Sequence, residues 1–338
     1  MKRLTIVPLA ELTDGQEADF FALLESKEAA TTRDGKPYFR VAFRDAQRAV
    51  SFPVWADSPW AVDCRERWTP GDCYKLRAVY RETNYGPQLE IRKIRAVTAA
   101  DAEDGFTPDM FLPRSRFDPA EMFDQLVAVV QENVRQPALA NLVLSILHDH
   151  RDALLTLPAA TRNHHAFAGG YLEHVLSVTR TCVYLSDKYV QQYPDMQPPL
   201  SKDLVVAGGA LHDIGKLREL AWKPTGAEYT SAGKLVGHVL QGRDIIREAA
   251  QDAGIEAETL LRLEHIIISH QRLPEWGSPK PPMTPEALLV HYADDCDAKF
   301  QMMYAALGDS PPGQAFTSNK NALYQSIYRG EQADTEAG

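Results

Sequence analysis

The sequence predicts a multidomain chain: a small all-β barrel followed by an all-α domain. Three observations predict it. Residues 1–104 hold short, turn-bounded stretches rich in β-branched and aromatic residues. From Asp118 onward the apolar spacing becomes helical. That second part also carries histidines and aspartates placed on otherwise apolar helices.

The β part reads strand by strand. Phe20 to Ala29 is one extended stretch. Asp34-Gly35 signals a hairpin turn before Tyr38 to Phe43. Ala49 to Trp55 is a third strand, and a short polar connection with Pro59 and Pro70-Gly71 follows. Tyr74 to Tyr80 and Gln88 to Val97 form a second hairpin around Asn84-Tyr85-Gly86-Pro87. Three strands, a short connection and two more strands is the strand count of an OB-fold. Other small barrels fit the same count.

Residues 105–118 read as a linker, 119–310 as the helical domain and 311–338 as a polar, partly flexible extension. Asp118-Pro119-Ala120-Glu121 is a helix start: Asp at the N-cap, Pro in the first turn, Glu at the third position.

Composition bounds the class. The 338 residues are 44% hydrophobic, enough for one large or two ordinary domains. No apolar run reaches the ~20 residues of a membrane-spanning helix, and the N-terminus lacks the apolar core of a signal peptide. The four cysteines, Cys64, Cys73, Cys182 and Cys296, form no metal-type spacing. They read as reduced thiols of a cytoplasmic protein. The net charge of -10 is uneven. Residues 1–100 hold 16 Lys and Arg against 14 Asp and Glu, and the remainder 20 against 32. An acidic second part suits divalent cations; a mildly basic first part is compatible with a polyanion.

The most informative run is His212-Asp213-Ile214-Gly215-Lys216. Adjacent His and Asp offer a nitrogen and an oxygen ligand, a mixed set for Mn²⁺, Fe²⁺, Zn²⁺ or Mg²⁺. The pair ends the apolar helix Leu204 to Leu211, where an unpaired ionised Asp is costly to bury. A metal removes that cost, and Gly208-Gly209 lets neighbouring helices approach. His174 lies on another apolar helix, where a hydrogen-bonded core His is the competing reading. His238 and His270 also fall in helical patterns, and His270 has the more exposed position at a helix end. His265, about 140° from His270 on a helix, does not share a metal with it. Asp294 follows the apolar stretch Ala287 to Ala293, with Asp295 and Asp297 as competitors. His148 and His150 read as solvated. His164-His165, between Thr161-Arg162-Asn163 and Gly169-Gly170, reads equally as pocket or as structure.

These residues closely resemble the HD superfamily of metal-dependent phosphohydrolases, an all-helical fold. Within it, His164-His165-Ala166, Gly169 to His174, His212 to Lys216, Glu219-Leu220, Glu228-Tyr229-Thr230, Gly233 to His238, Ser269-His270, Glu275 to Pro279 and Asp297-Ala298-Lys299 are similar to the YhaM-type 3′→5′ exoribonucleases. That family also carries an N-terminal OB-fold. The chain departs from it at His270-Gln271, where the family commonly has a second His followed by Gly. The resemblance implies His174, His212, Asp213 and Asp294 as the central ligands, with His238 and His270 completing a second metal site. It places Lys216 beside the scissile phosphate. Lys216 and Asp213 are the expected catalytic groups, and His164, His165, Lys234 and Arg272 the expected substrate contacts. The expected cofactor is one or two divalent ions, Mn²⁺ first, with Fe²⁺, Mg²⁺, Zn²⁺, Co²⁺ or Ni²⁺ as alternatives.

The expected activity is hydrolysis of single-stranded RNA, with single-stranded DNA as a second candidate, by a metal-activated water. The barrel would stack bases on Phe39, Tyr80 and Tyr85 and hold the backbone with Arg40, Arg77, Arg81 and Arg92. Barrel core is the competing reading for those aromatics, and a solvated strand face for the arginines. A small-nucleotide phosphohydrolase with the barrel as an interaction module is the alternative, and a regulatory binder a third. No membrane partner is expected; a homo-oligomer is compatible.

Overall fold

The run Phe20-Phe21-Ala22-Leu23-Leu24 is apolar without alternation, the pattern of a strand buried on both faces. In the computed structural model it lies in β1 (Glu17–Thr31). Phe20, Ala22 and Leu24 point into the barrel core, while Phe21 and Leu23 pack against Phe111 in a separate small cluster. The structure describes residues 5–330 apart from 33, 85, 112, 162–163, 224–225 and 309–313. The chain divides into two units, Met1–Pro113 with Lys223–Gly226 and Arg114–Trp222 with Ala227–Gly338.

In the first unit β2 (Pro37–Arg44), β3 (Ala49–Trp55), β4 (Cys73–Thr83) and β5 (Gly86–Ala96) join β1 in one antiparallel sheet, ordered β3-β2-β1-β4-β5. A register shift between Leu24 and Ser26 bends β1, so its first half pairs with β4 and its second half with β2. β3 comes round against β5, which curls the sheet toward a barrel. This is an OB-fold-like arrangement. The connection after β3 is not merely polar loop: it carries helix α1 (Ala61–Glu66), whose Cys64 is buried in the barrel core. The side chain of Trp60, just before it, donates to Ile91 O on β5 at 3.1 Å. The stretch expected as a linker holds a 3-10 turn at Pro108–Phe111.

The second unit is helical. α2 (Pro119–Asn133) starts where the sequence reading put it, with Asp118 accepting from the Ala120 and Glu121 amides. α3 (Pro137–Asp149), α4 (Arg151–Leu154), α5 (Gly170–Gln192) and α6 (Lys202–Leu211) follow. Then come α7 (Lys216–Glu219), the hairpin β6 (Leu220–Lys223) and β7 (Gly226–Tyr229), and α8 (Ser231–Leu235). α9 (His238–Ala249), α10 (Ala257–Ser269) and α11 (Pro285–Gly308) complete it. α6 is buried along its apolar length. A Cβ on Gly208 would meet Ile266 of α10 at 2.6 Å, and one on Gly209 would meet Cys182 of α5 at 2.9 Å. The glycine pair thus brings three helices close together at the end where His212 and Asp213 emerge.

One buried carboxylate organises the end of the barrel. Asp101 accepts from Arg95 at 2.6 and 2.7 Å, from the Thr98 amide at 2.9 Å and from Lys75 at 3.3 Å. The bonded Arg95 guanidinium holds its carboxyl well below the usual carboxylate range. A depressed carboxylate contributes stability above its unfolded-state pKa, and that stability is lost as pH falls through the folded value. Asp101→Asn should therefore destabilise the barrel at neutral pH by about 1–2 kcal/mol, the modest figure reflecting the half-exposed Arg95. The gap between the two proteins should shrink below the ordinary carboxylate range. Urea unfolding at pH 7 and at pH 3 checks both statements.

Candidate metal centre

Five elements deliver the site. His174 lies on α5, His212 caps the C-terminus of α6, and Asp213 sits in the tight turn leading to α7. His238 opens α9, His270 caps α10, and Asp294 lies on α11. The turn needs Gly215: a Cβ there would meet His238 O at 1.9 Å, so α9 could not approach.

On one side of the Asp213 carboxylate, four donor groups converge. His174 Nε2 is 3.2 Å from Asp294 Oδ1, 3.3 Å from His212 Nε2 and 3.7 Å from Asp213 Oδ2. His212 Nε2 is 3.5 Å from Asp213 Oδ2 and 3.8 Å from Asp294 Oδ1. Ligands bound at about 2.0–2.2 Å stand about 3.0–3.5 Å apart around one ion. The observed spacings fit that with small adjustment. On the other side, Asp213 Oδ1 faces His238 Nε2 at 3.5 Å and His270 Nε2 at 3.7 Å. Asp213 Oδ1 and His238 Nε2 are buried with no hydrogen-bond partner. Orphaned buried acceptors are costly, and a second cation would satisfy both. The donor set fits two divalent ions sharing Asp213.

The imidazoles are oriented for this. Each turns its Nδ1 to an oxygen: His174 to Asp297 at 2.7 Å, His212 to Gly209 O at 2.8 Å, His270 to Ile267 O at 2.7 Å, His238 to Glu219 at 3.0 Å. With Nδ1–H donating, a neutral ring presents a bare Nε2 to the cluster, a state His174 reaches on giving up its second proton. Glu219 also accepts the His238 amide, and Ser177 donates to Asp297. Burial pushes His212 down to about 4. Burial also opposes charge on His174, but its bonds to Asp294 and Asp297 outweigh that and hold it up at about 9. Ligation of His174 therefore releases a proton. Asp213 stays well below the carboxylate range despite burial, chiefly through the Lys216 ammonium, which donates to Oδ2 at 2.5 Å.

Other expected residues fall out variously. Lys216 is buried and bonded to Asp213, within the cluster. The His164 and His165 rings each stand 5.4 Å from His174, and both Nδ1 atoms are buried without a partner. Lys234 and Arg272 are exposed, and neither side chain bonds to the cluster. His270 is not exposed, as its helix-end position suggested; it is fully buried, its ring beside those of His212 and His238, and His291 of α11 donates Nδ1 to its carbonyl. His265 accepts from the Met283 amide, apart from the cluster. Asp295 pairs with Lys299 at 2.7 Å.

In the barrel, two expectations need correction. Tyr80 is 3% exposed and sits in the core with Arg48 over its ring, so no base can stack on it. Arg77 is paired with Asp19 through Nε at 2.6 Å and Nη2 at 2.7 Å, which commits its charge within the barrel. Phe39 is half-buried against the core, Arg40 is exposed, and Arg92 is exposed beside Glu90. Tyr85 lies outside the described residues. The reading missed Tyr38 and Trp55, cross-strand partners on β2 and β3 with rings 5.1 Å apart. Alternation from buried Val41 and Val54 marks both as outward.

Sequence reasoning named Asp297 only as a competitor of Asp294 and Glu219 only within the resembling motifs, and it gave His291 no role. His291, Asp294 and Asp297 recur every third residue on α11, a polar stripe on one face, and that signal could have found two of them.

A comparison with protein families matches residues 171–299 to the HD domain. The match points to a metal-dependent phosphohydrolase. Among solved structures, the chain is similar to the second OB-fold domain of replication protein A from Methanococcus maripaludis, with 13% identity over 28% of this chain and 95% of that one, TM-score 0.22. A domain of replication protein A from the same organism matches at 10% identity over 28% and 96%, TM-score 0.22. No helix among the described residues is long and apolar enough to cross a membrane.

Asp297→Asn removes a charged acceptor from His174 without changing its volume. Metal affinity should fall about 10- to 100-fold, with the fold retained. Titration calorimetry with Mn²⁺ on both proteins checks it, and equal affinities would rule out this role for Asp297.

Proposed function

We propose that this protein is a metal-dependent 3′→5′ exoribonuclease acting on single-stranded RNA, with single-stranded DNA as a further substrate. The observation that carries the phosphodiesterase reading is the two-sided Asp213, with two imidazole nitrogens on each face and two of the buried acceptors left unsatisfied. The RNA preference and the polarity rest on the family resemblance. Single-strand binding rests on the barrel.

When bound, the divalent ions supply Lewis acidity toward phosphate oxygens and lower the pKa of water. The chain's own residues do the rest. His174, His212, Asp294 and Asp213 would hold one ion; Asp213, His238 and His270 would hold the other. Asp297, Glu219 and the carbonyls of Gly209 and Ile267 fix the ring orientations. Lys216 contributes a buried positive charge that can move from Asp213 to a non-bridging phosphate oxygen as the phosphate arrives. His164 and His165 each offer an unpartnered ring nitrogen to the substrate. Burial keeps both rings neutral at physiological pH, holding them near 3 and 4 respectively, so each can donate from one nitrogen and accept at the other. Lys234 and Arg272 remain candidates for more distant phosphates. On the barrel, Tyr38 and Trp55 offer ring surface for bases, Arg40 shares the outward face of β2 with Tyr38, Phe39 lies on the core side, and Arg92 is exposed on β5.

His212→Ala and Asp213→Ala should each abolish hydrolysis, a loss of 10³-fold or more being on the order expected when a metal ligand goes, while binding of single-stranded RNA to the barrel persists. The decisive assay is a Mn²⁺ time course on 5′-labelled RNA with and without chelator. A metal-dependent ladder shortening from the 3′ end supports the reading. Intact RNA with folded, Mn²⁺-loaded protein would shift the substrate to a small nucleotide, and full activity in either variant would remove the site assignment.

A further inference from the structure

A cleft of about 860 Å³ opens beside the metal cluster within the helical unit. His165 and Asp297 stand at its inner end, and Asp297 is the residue that holds His174. One wall is a single face of α11, running from Asp297 through Phe300 to Tyr304 at helical spacing. That face is about 10 Å long. Phe300 is 71% exposed and Tyr304 60% exposed. Neither packs in the main core, so their large ring surfaces are kept in solvent beside a candidate reaction centre. The Arg116 guanidinium lies 4.7 Å from the Phe117 ring and 5.5 Å from the Tyr304 ring. Arg180 lines the same cleft from α5. Of the four carboxylates in the lining, three are already engaged. Asp118 caps α2, Glu173 accepts from Ser115 at 2.6 Å, and Asp297 holds His174. Arg116 and Arg180 are the guanidinium groups the cleft offers an anion, Arg180 with one nitrogen donating to Gln125 at 2.8 Å.

We propose that this cleft seats the unreacted nucleotide adjoining the scissile phosphate. Its base stacks on Phe300 and Tyr304, and its phosphate meets Arg116 and Arg180. This rests on the reading of the metal centre as a phosphodiester site. Rings with an accessible face and a guanidinium beside them are what sequence-tolerant single-strand binding uses. A peptide or lipid occupant would call for a continuous apolar floor. Here Arg116 lies against the Phe117 and Tyr304 rings, and Arg180, Gln125 and Gln301 share the lining.

The test reads binding without turnover. A dinucleotide carrying 2-aminopurine is titrated into the full-length protein in EDTA, and stacking is read as quenching. Wild type should quench it. Phe300→Ala/Tyr304→Ala should lose quenching and bind about tenfold or more weakly, while Tyr304→Phe keeps both. Both positions are highly exposed, so the folded state, checked by circular dichroism, should persist. On RNA with Mn²⁺, the double variant should raise KM with little change in kcat. Unchanged dinucleotide binding and unchanged KM in the double variant would overturn the proposal even if RNA is cut. Quenching that depends on these rings in a protein that leaves RNA intact would keep the cleft as a nucleotide site and remove the exonuclease reading instead. Quenching lost equally in Tyr304→Phe would count against stacking.

Discussion

The constraint on which the helical unit depends is the burial of one ionised carboxylate. Asp213 is 1% exposed. Taking a carboxylate out of water costs on the order of several kcal/mol even after relaxation. That cost has to be offset by positive charge and directed donors, or the group would protonate. The chain answers by bringing the ends of five helices to it. Lys216 arrives from the next turn of the chain, His212 from the preceding residue, and His174, His238 and His270 from elements far away in sequence. The small residues follow from this. Gly208 and Gly209 let α6 enter between α5 and α10, and Gly215 lets α9 bring its first residue against the turn.

A lone ammonium offsets only part of the problem. Lys216 satisfies Oδ2, while Oδ1 faces His238 Nε2, itself without a hydrogen-bond partner, and His270 Nε2, which the Gln271 side-chain amide meets at 3.2 Å. Three of the rings spend their Nδ1 protons on a carbonyl or a carboxylate outside the cluster, and His174 spends its own on Asp297. If the site were built only to fold, those protons would more cheaply point at Asp213 itself. Turning the bare nitrogens inward makes sense for cations and not for stability alone. The same logic explains Asp297 and Glu219. They touch no reacting atom, yet they decide which nitrogen of His174 and His238 is available.

How much of this was legible depends on the range of the interaction. The strands were legible because alternation and Asp34-Gly35 are local signals, and Gly35 does take the left-handed conformation. Helix α1 was not, since six residues with Pro59 and Pro70-Gly71 on either side look like loop until Cys64 is seen buried in the barrel core. His212 and Asp213 were legible because a charge at the end of an apolar helix is a conflict visible in one dimension. His270 was read as exposed for the same local reason, and wrongly: its ring is packed by those of His212 and His238, which come from elements far away in sequence. Tyr80 failed likewise. Its strand position allowed either face, and the core it shares with Tyr74, Leu76 and Ala78, the alternate residues of β4, shows that it points inward.

Charge poses the remaining question, because the part of the chain beyond residue 100 is net acidic and the proposed substrate is a polyanion. Long-range attraction cannot be what brings RNA to that unit. At physiological ionic strength, however, fields between exposed charges fade over about 8 Å, so what matters is the charge within a nucleotide's reach of the cluster. There the balance is different. Asp213, Asp294 and Asp297 are committed to Lys216 and the imidazoles, and bound cations would reverse the sign of the site. Arg116 and Arg180 stand in the adjoining cleft with ring surface beside them. An acidic domain can thus hold an anionic strand through short-range stacking and metal-centred attraction. Such a design would leave diffuse basic charge unnecessary on the catalytic unit and would discourage capture of polyanions that cannot place an end at the cluster.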